Sequence, residues 1–218
     1  MSSSRTIPYT CPYCGKTYDI EVWDSVTADE DEDLRDRCVS GDIFRNTCPH
    51  CKKDFMVQFP MVYIDRSHRF VLWLSQETPG EDLIRTVAAP LAPQGYTLRR
   101  TPTLKEFAEK IQILEDGTDD RAVELAKYDS LIEFLDNKKG TLEDITGIEY
   151  QRTENEVMKI NIRTNDKGLS FLIPVSMVLE EMEENSTLYE VDNSSFPVVN
   201  AEWIIGLFTP DDTNQSLN

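Results

Sequence analysis

Cys11-Pro12-Tyr13-Cys14 and Cys48-Pro49-His50-Cys51 hold four of the five cysteines in this 218-residue chain. A Cys-x-x-Cys turn presents two sulfurs together, so two such turns joined by a fold supply the four thiolates of one tetrahedral ion and leave no position for substrate. The candidate metal ligands are therefore Cys11, Cys14, Cys48 and Cys51. Zn²⁺ is the expected ion and iron the alternative, because a four-thiolate sequence does not separate the two. Thirty-three residues lie between the pairs, more than the ~15–20 of the commonest zinc ribbon. The longer loop costs only about 0.5 kcal/mol of extra closure entropy, against ~10 kcal/mol or more from zinc binding.

Outward from each pair the sequence alternates. Tyr18, Ile20 and Val22 predict a strand near 17–24, and Phe55, Val57 and Phe59 one near 54–59. Redox-active tetrapeptides lower a thiol pKa at a helix N-terminus; these feed strands, which favours one metal site over dithiol chemistry. A pair of disulfides would need an oxidising compartment. The chain opens Met1-Ser2-Ser3-Ser4-Arg5 with no apolar stretch behind it, and no run approaches ~18 apolar residues. A cytoplasmic location with reduced thiols is expected, and no membrane. The fifth cysteine, Cys38, falls in a short acidic helix near 30–39 that follows a capping-box pattern, Thr27-Ala28-Asp29-Glu30, and stops at Gly41. It reads as a buried small hydrophobe, not a ligand.

The paired motifs, the strand ending Trp23-Asp24-Ser25, the acidic helix between the pairs, and Pro60-Met61-Val62-Tyr63-Ile64-Asp65 followed by Phe70-Val71-Leu72-Trp73-Leu74 resemble the CpXC domain, a bacterial and archaeal family. The resemblance runs through Glu109 to Asp120, covering roughly residues 6–130. It implies a zinc-binding domain and brings no activity with it. One departure is Lys52, which follows the second pair where Gly15 follows the first. Glycine takes such turns without steric cost, so a differently shaped second knuckle is expected.

The formal charge of −18 is uneven: residues 1–75 carry 9 Lys and Arg against 12 Asp and Glu, and residues 76–218 carry 13 against 28. Nucleic-acid binding depends on Lys and Arg neutralising phosphates, so so acidic a chain is disfavoured for it. Lys52, Lys53, Arg66, His68 and Arg69 could form a local basic patch; solvated turns beside the thiolates are the simpler reading. An acidic chain suits a basic protein partner.

Along the chain, 6–100 reads as a zinc-ribbon-like antiparallel sheet with an inserted helix. Strands are expected near 17–24, 54–59, 61–65 and 69–74, a turn at Asp65-Arg66-Ser67-His68, a connector rich in turn residues at 78–95, and a returning strand at 96–100. A helical pair follows over 101–140, the first helix opened by the capping box Thr103-Leu104-Lys105-Glu106 and ended by Gly117, the second opened by Asp119 and Asp120 and running to Gly140. Residues 141–208 read as mixed α/β, with a hairpin about Asn165-Asp166-Lys167-Gly168, an acidic helix near 178–184 and a last helix capped by Asn200. Met1 to Arg5 and 209–218 have the composition of solvated tails. The fold class is α+β.

Catalytic signatures are missing from the sequence. The two histidines, His50 and His68, have no Ser or Cys arranged for nucleophilic catalysis, and no phosphate loop or His-Glu-x-x-His occurs. The cluster Glu115-Asp116-Gly117-Thr118-Asp119-Asp120 lacks the alternating ligands of a calcium loop and reads as helix capping. The expected protein is a non-catalytic binding or adaptor module with a structural zinc. An iron or dithiol redox protein is the alternative, and a nucleic-acid-binding zinc ribbon a second.

Overall fold

The computed structural model describes residues 1–137, 139–153 and 156–209. It is α+β, and the chain divides into two compact units, one of Met1–Gln112 with Asp192–Pro197, the other of Ile113–Val191 with the chain from Val198 onward.

The first unit is built on a five-stranded sheet in the order β1-β2-β5-β6-β7. β1 (Ser3–Thr10) and β2 (Thr17–Thr27) form an antiparallel hairpin, and the far end of β2 pairs in parallel with β5 (Met61–Asp65), Ser25 opposite Val62. β6 (Phe70–Leu74) is antiparallel to β5, while β7 (Thr97–Thr101) returns parallel to β6. The expected antiparallel sheet is thus mixed. The chain crosses over between β2 and β5, and again between β6 and β7, and each crossover makes the next strand enter from the same end.

The first crossover carries α1 (Glu32–Ser40) and a small separate hairpin, β3 (Arg45–Thr47) with β4 (Asp54–Met56). The helix is capped by Asp31, whose carboxylate accepts from the Leu34 amide at 3.1 Å, and not by Thr27; Ala28–Glu30 is a turn of 3-10 helix. Gly41, at φ 79, ends it as expected. Cys38 is fully buried one turn from Leu34. The second crossover, the connector rich in turn residues, winds through successive helical turns over 81–94.

β5 and β6 are packed on both faces, the face of Val62, Ile64 and Trp73 being half-buried. On one, Tyr63 and Phe70 stack at 5.9 Å and Tyr63 meets Phe107 edge-on at 6.0 Å, with Phe44 and Phe59 completing an aromatic core. On the other, Val71, Leu98 and Ala88 pack with Phe196, and Trp73 lies edge-on to that ring. Phe196 sits on the irregular return segment 192–197, held by Asn193, whose Oδ1 accepts from the Leu98 amide and the Arg99 guanidinium at 2.9 Å.

Met1 to Arg5 is not a tail, since β1 begins at Ser3. Ser4 donates to Glu21, Arg5 pairs with Asp24 at 2.7 Å, and the backbone ladder runs from Ser3 to Thr10. An edge strand exposed on both faces has the same polar composition as a solvated tail, which is why the sequence hid it. The tail expected over 209–218 lies, from residue 210, outside the described residues.

The second unit places an antiparallel sheet, β10-β9-β8, with helices. Its strands are β8 (Ile145–Gln151), β9 (Val157–Thr164) and β10 (Gly168–Pro174). Met158, Ile160 and Ile162 alternate inward along β9 and pack with Val123, Ala126, Phe134, Phe171, Val178 and Ile204. α2 (Leu104–Glu115), within which the chain passes into this unit, opens on the expected capping box: Thr103 accepts from the Glu106 amide, and the Glu106 carboxylate from the Thr103 amide, both at 3.2 Å. α3 (Asp120–Asp136) is capped by Asp119 and buries a Glu124–Lys127 ion pair at 3.1 Å. It ends before Gly140, where a Cβ would lie 2.6 Å from the Phe134 ring. α4 (Val175–Glu184) and α5 (Ala201–Phe208) complete the unit, α5 capped by Asn200 accepting from the Trp203 amide. Among the described residues no helix is long and apolar enough to cross a membrane.

Candidate metal centre

Each cysteine pair occupies the turn of a hairpin. Residues 11–16 join β1 to β2, and residues 48–53 join β3 to β4. The two turns repeat one hydrogen-bond pattern: the Cys11 amide donates to the Lys16 carbonyl and the Gly15 amide to the Cys11 carbonyl, both at 3.0 Å; the Cys48 amide donates to Lys53 at 3.0 Å and the Lys52 amide to Cys48 at 2.9 Å. Gly15 has φ 70 and Lys52 φ 60. The second knuckle therefore has the shape of the first, contrary to expectation, and Lys52 takes the left-handed conformation itself.

The four sulfurs lie within 4.8 Å of one another, so the sequence-predicted ligands Cys11, Cys14, Cys48 and Cys51 all converge; among the described residues no other His, Cys, Asp and Glu cluster so closely. Across the knuckles Cys11 Sγ is 3.8 Å from Cys51 Sγ, and Cys14 Sγ is 3.7 Å from Cys48 Sγ. A tetrahedral site with Zn–S bonds of about 2.3 Å has edges of about 3.8 Å, so these separations are those of thiolates around one ion. Cys38, on α1, stands outside the group, and so does His50, whose ring is turned edge-on to Tyr18 at 6.2 Å.

The surroundings fit a buried anionic cluster. Cys11 and Cys48 are buried, Cys51 half-buried and Cys14 exposed. The Tyr13 amide donates to Cys11 Sγ at 3.4 Å. Burial would raise the Cys48 thiol, but the amides of Cys51 and His50, with the neighbouring sulfurs, bring it down to about 6. For Cys14, exposed as it is, the Lys16 amide favours the thiolate, yet partial desolvation and the other three sulfurs outweigh it and push the thiol up to about 11. Without a cation the cluster resists loading every sulfur with charge; an ion would let all four ionise.

Sequence reading missed the aromatic collar. Tyr18 Oη is buried without a hydrogen-bond partner, and its hydroxyl is raised by burial and then by the charges of Cys48, Cys11 and Cys51. Tyr9 stacks on Phe55 at 5.6 Å, tying the first knuckle's hairpin to the second's; Tyr13 meets the same ring edge-on, with Lys53 Nζ 4.8 Å from its centroid. Tyr18 and Phe55 appeared in the sequence only as apolar positions of strands, and Tyr9 lay in a strand that composition concealed.

The sequence model of a family described as CpXC protein matches residues 9–127, and this chain belongs to that family. The match holds both knuckles and ends inside α3, so β8 to β10, α4 and α5 lie beyond it. No curated protein and no solved structure matches the chain.

Proposed function

We propose that this CpXC-family chain is a zinc protein in which the ion has a structural role, and that it acts in the cytoplasm as a non-catalytic binding or adaptor module for a basic protein partner. The observation that carries the reading is the closed set of four sulfurs on two matched hairpins. Such a set fills the coordination sphere of zinc and leaves no open position for a substrate or an activated water. The binding role is supported by the acidity of residues 76–218, which carry 28 Asp and Glu against 13 Lys and Arg; that field attracts cations and repels phosphate backbones.

Metal analysis of protein purified without added metal tests the first half. One zinc per colourless chain is expected, whereas a red protein with visible thiolate-to-iron bands establishes the redox alternative. Affinity capture from the native cell tests the second half. Recovery of a protein partner in a salt-sensitive complex is expected, and tight binding to DNA or RNA with no protein recovered overturns it.

A further inference from the structure

The second unit has an apolar surface with an acidic rim that the metal centre does not use. On α3, Tyr128, Asp129, Ile132, Glu133 and Asp136, with Asn137, line an open groove of about 460 Å³. These positions recur at helical spacing, so they form one exposed stripe. The end of α5 extends it: the Phe208 ring stacks on Tyr128 at 4.8 Å and 13°. Ile205, one turn earlier, shares that face with Glu202. Ile132 is 38% exposed, Ile205 43% and Phe208 40%, a concentration of solvent-facing apolar area on one short stretch of surface.

We propose that this groove docks a basic amphipathic helix of a partner protein, with aliphatic side chains against Tyr128, Ile132, Ile205 and Phe208, and lysines or arginines facing Asp129, Glu133 and Asp136. This rests on the reading of the chain as a binding module and names the surface and partner chemistry. The rim chooses the occupant. Asp129, Glu133 and Asp136 line it, with Lys139 3.9 Å from Glu133 as a cation at one edge. Partial desolvation, and after it the nearby charge of Glu181, raises the Asp129 carboxyl, and a cation placed beside it favours the ionised form. A second copy of the chain would set two acidic rims against each other. Residues 210–218 carry Asp211 and Asp212 and no Lys or Arg, which is the wrong charge for the groove. A helix with one apolar face and one basic face meets both halves of the site.

The test is a fluorescence-anisotropy titration of the full chain with a synthetic helix bearing leucine on one face and lysine on the other. Binding is expected, with no binding of the peptide whose lysines are replaced by glutamate. Ile132→Ser, and separately Asp129→Lys with Asp136→Lys, are expected to weaken it by roughly tenfold or more. Glu32→Lys with Asp33→Lys on α1 controls for general acidity and leaves affinity within about twofold. Equal loss in the control pair, or unchanged affinity in Ile132→Ser, overturns the proposal. So does self-association of the wild-type chain that Ile132→Ser abolishes, or peptide binding that appears only after removal of 210–218. The native partner separates this inference from the reading beneath it. A partner captured equally by wild type and Ile132→Ser defeats the groove and leaves the binding module standing, while absence of any protein partner defeats the module.

Discussion

Lys52 stands in the second knuckle where Gly15 stands in the first: each donates its amide to the carbonyl of the leading cysteine, and each has a positive φ, 60 and 70. The left-handed conformation costs a residue with a Cβ about 1 kcal/mol or more. Lys52→Gly should therefore keep the metal and leave stability unchanged or raised by up to about 1 kcal/mol, the relief of strain being partly offset by a more flexible unfolded chain. Gly15→Ala should lose about 1–2 kcal/mol, through the backbone alone, since a Cβ there meets nothing within 4 Å. Denaturant unfolding of the zinc-loaded variants measures both, and a destabilised Lys52→Gly would show that the lysine side chain matters more than its backbone.

Single Cys→Ser variants should divide four against one. Replacing Cys11, Cys14, Cys48 or Cys51 should cost the chain its bound metal, because an incomplete thiolate set no longer closes the sphere. Cys38→Ser should retain a full ion while losing about 1–3 kcal/mol, the cost of putting a hydroxyl where a fully buried thiol packs. Metal content by mass spectrometry together with thermal unfolding decides it. Metal loss in Cys38→Ser would remove the assignment.

Metal affinity should fall as pH falls. Binding requires four thiolates, and the metal-free chain holds Cys48 at about 6 and Cys14 at about 11. Near neutrality Cys48 is largely ionised and Cys14 protonated, so uptake must release protons, and each step toward acid opposes binding further. A depressed thiol pKa favours the ionised state above it and loses that advantage as pH drops through it. Competition against a chromophoric chelator from pH 8 to pH 5 should show a steep loss of affinity; a flat profile would point to ligands other than thiols.

Chelation should loosen the knuckles more than the sheet. The hairpin β3–β4 has three residues in each strand and reaches the first knuckle through the Tyr9–Phe55 stack and the sulfurs. The strands β5 and β6 hold their own aromatic core with Phe107, away from the ion. Hydrogen exchange should therefore show protection lost over 9–18 and 44–57 and kept over 61–74 and in the second unit. Loss spread evenly through the first unit would mean that the ion organises its whole core.

What the sequence disclosed and what it hid follow from how each feature is encoded. The ligands, the capping box at Thr103, the N-cap at Asn200 and the hairpin around Asn165 are local patterns, so their side-chain identities and spacing are sufficient. The parallel pairing of β2 with β5 depends on where a crossover delivers the chain, and Ser25 opposite Val62 carries no mark of it. Phe196 illustrates the same difficulty. It is buried, at φ 53, against Trp73 and Leu98, yet it sits among Asn193, Ser194 and Ser195, whose composition suggests a loop. Its burial is decided by residues far away in sequence.

The Glu124–Lys127 pair gives the last expectation. Both side chains are almost fully buried in α3, 3.1 Å apart, and one turn of helix fixes the contact. Burying two charges costs several kcal/mol of hydration, which their attraction and other hydrogen bonds offset only while both remain. Lys127→Met should accordingly destabilise by about 3 kcal/mol, and Glu124→Leu by a similar amount, because each removes one of the contacts that hold the other charge in a low-dielectric core. The double variant should lose less than the sum of the two, since their mutual contact is then counted once. A double-mutant cycle by urea unfolding reads the coupling directly. Additive losses would mean that the two charges are held by separate partners and that their contact contributes little to the second unit.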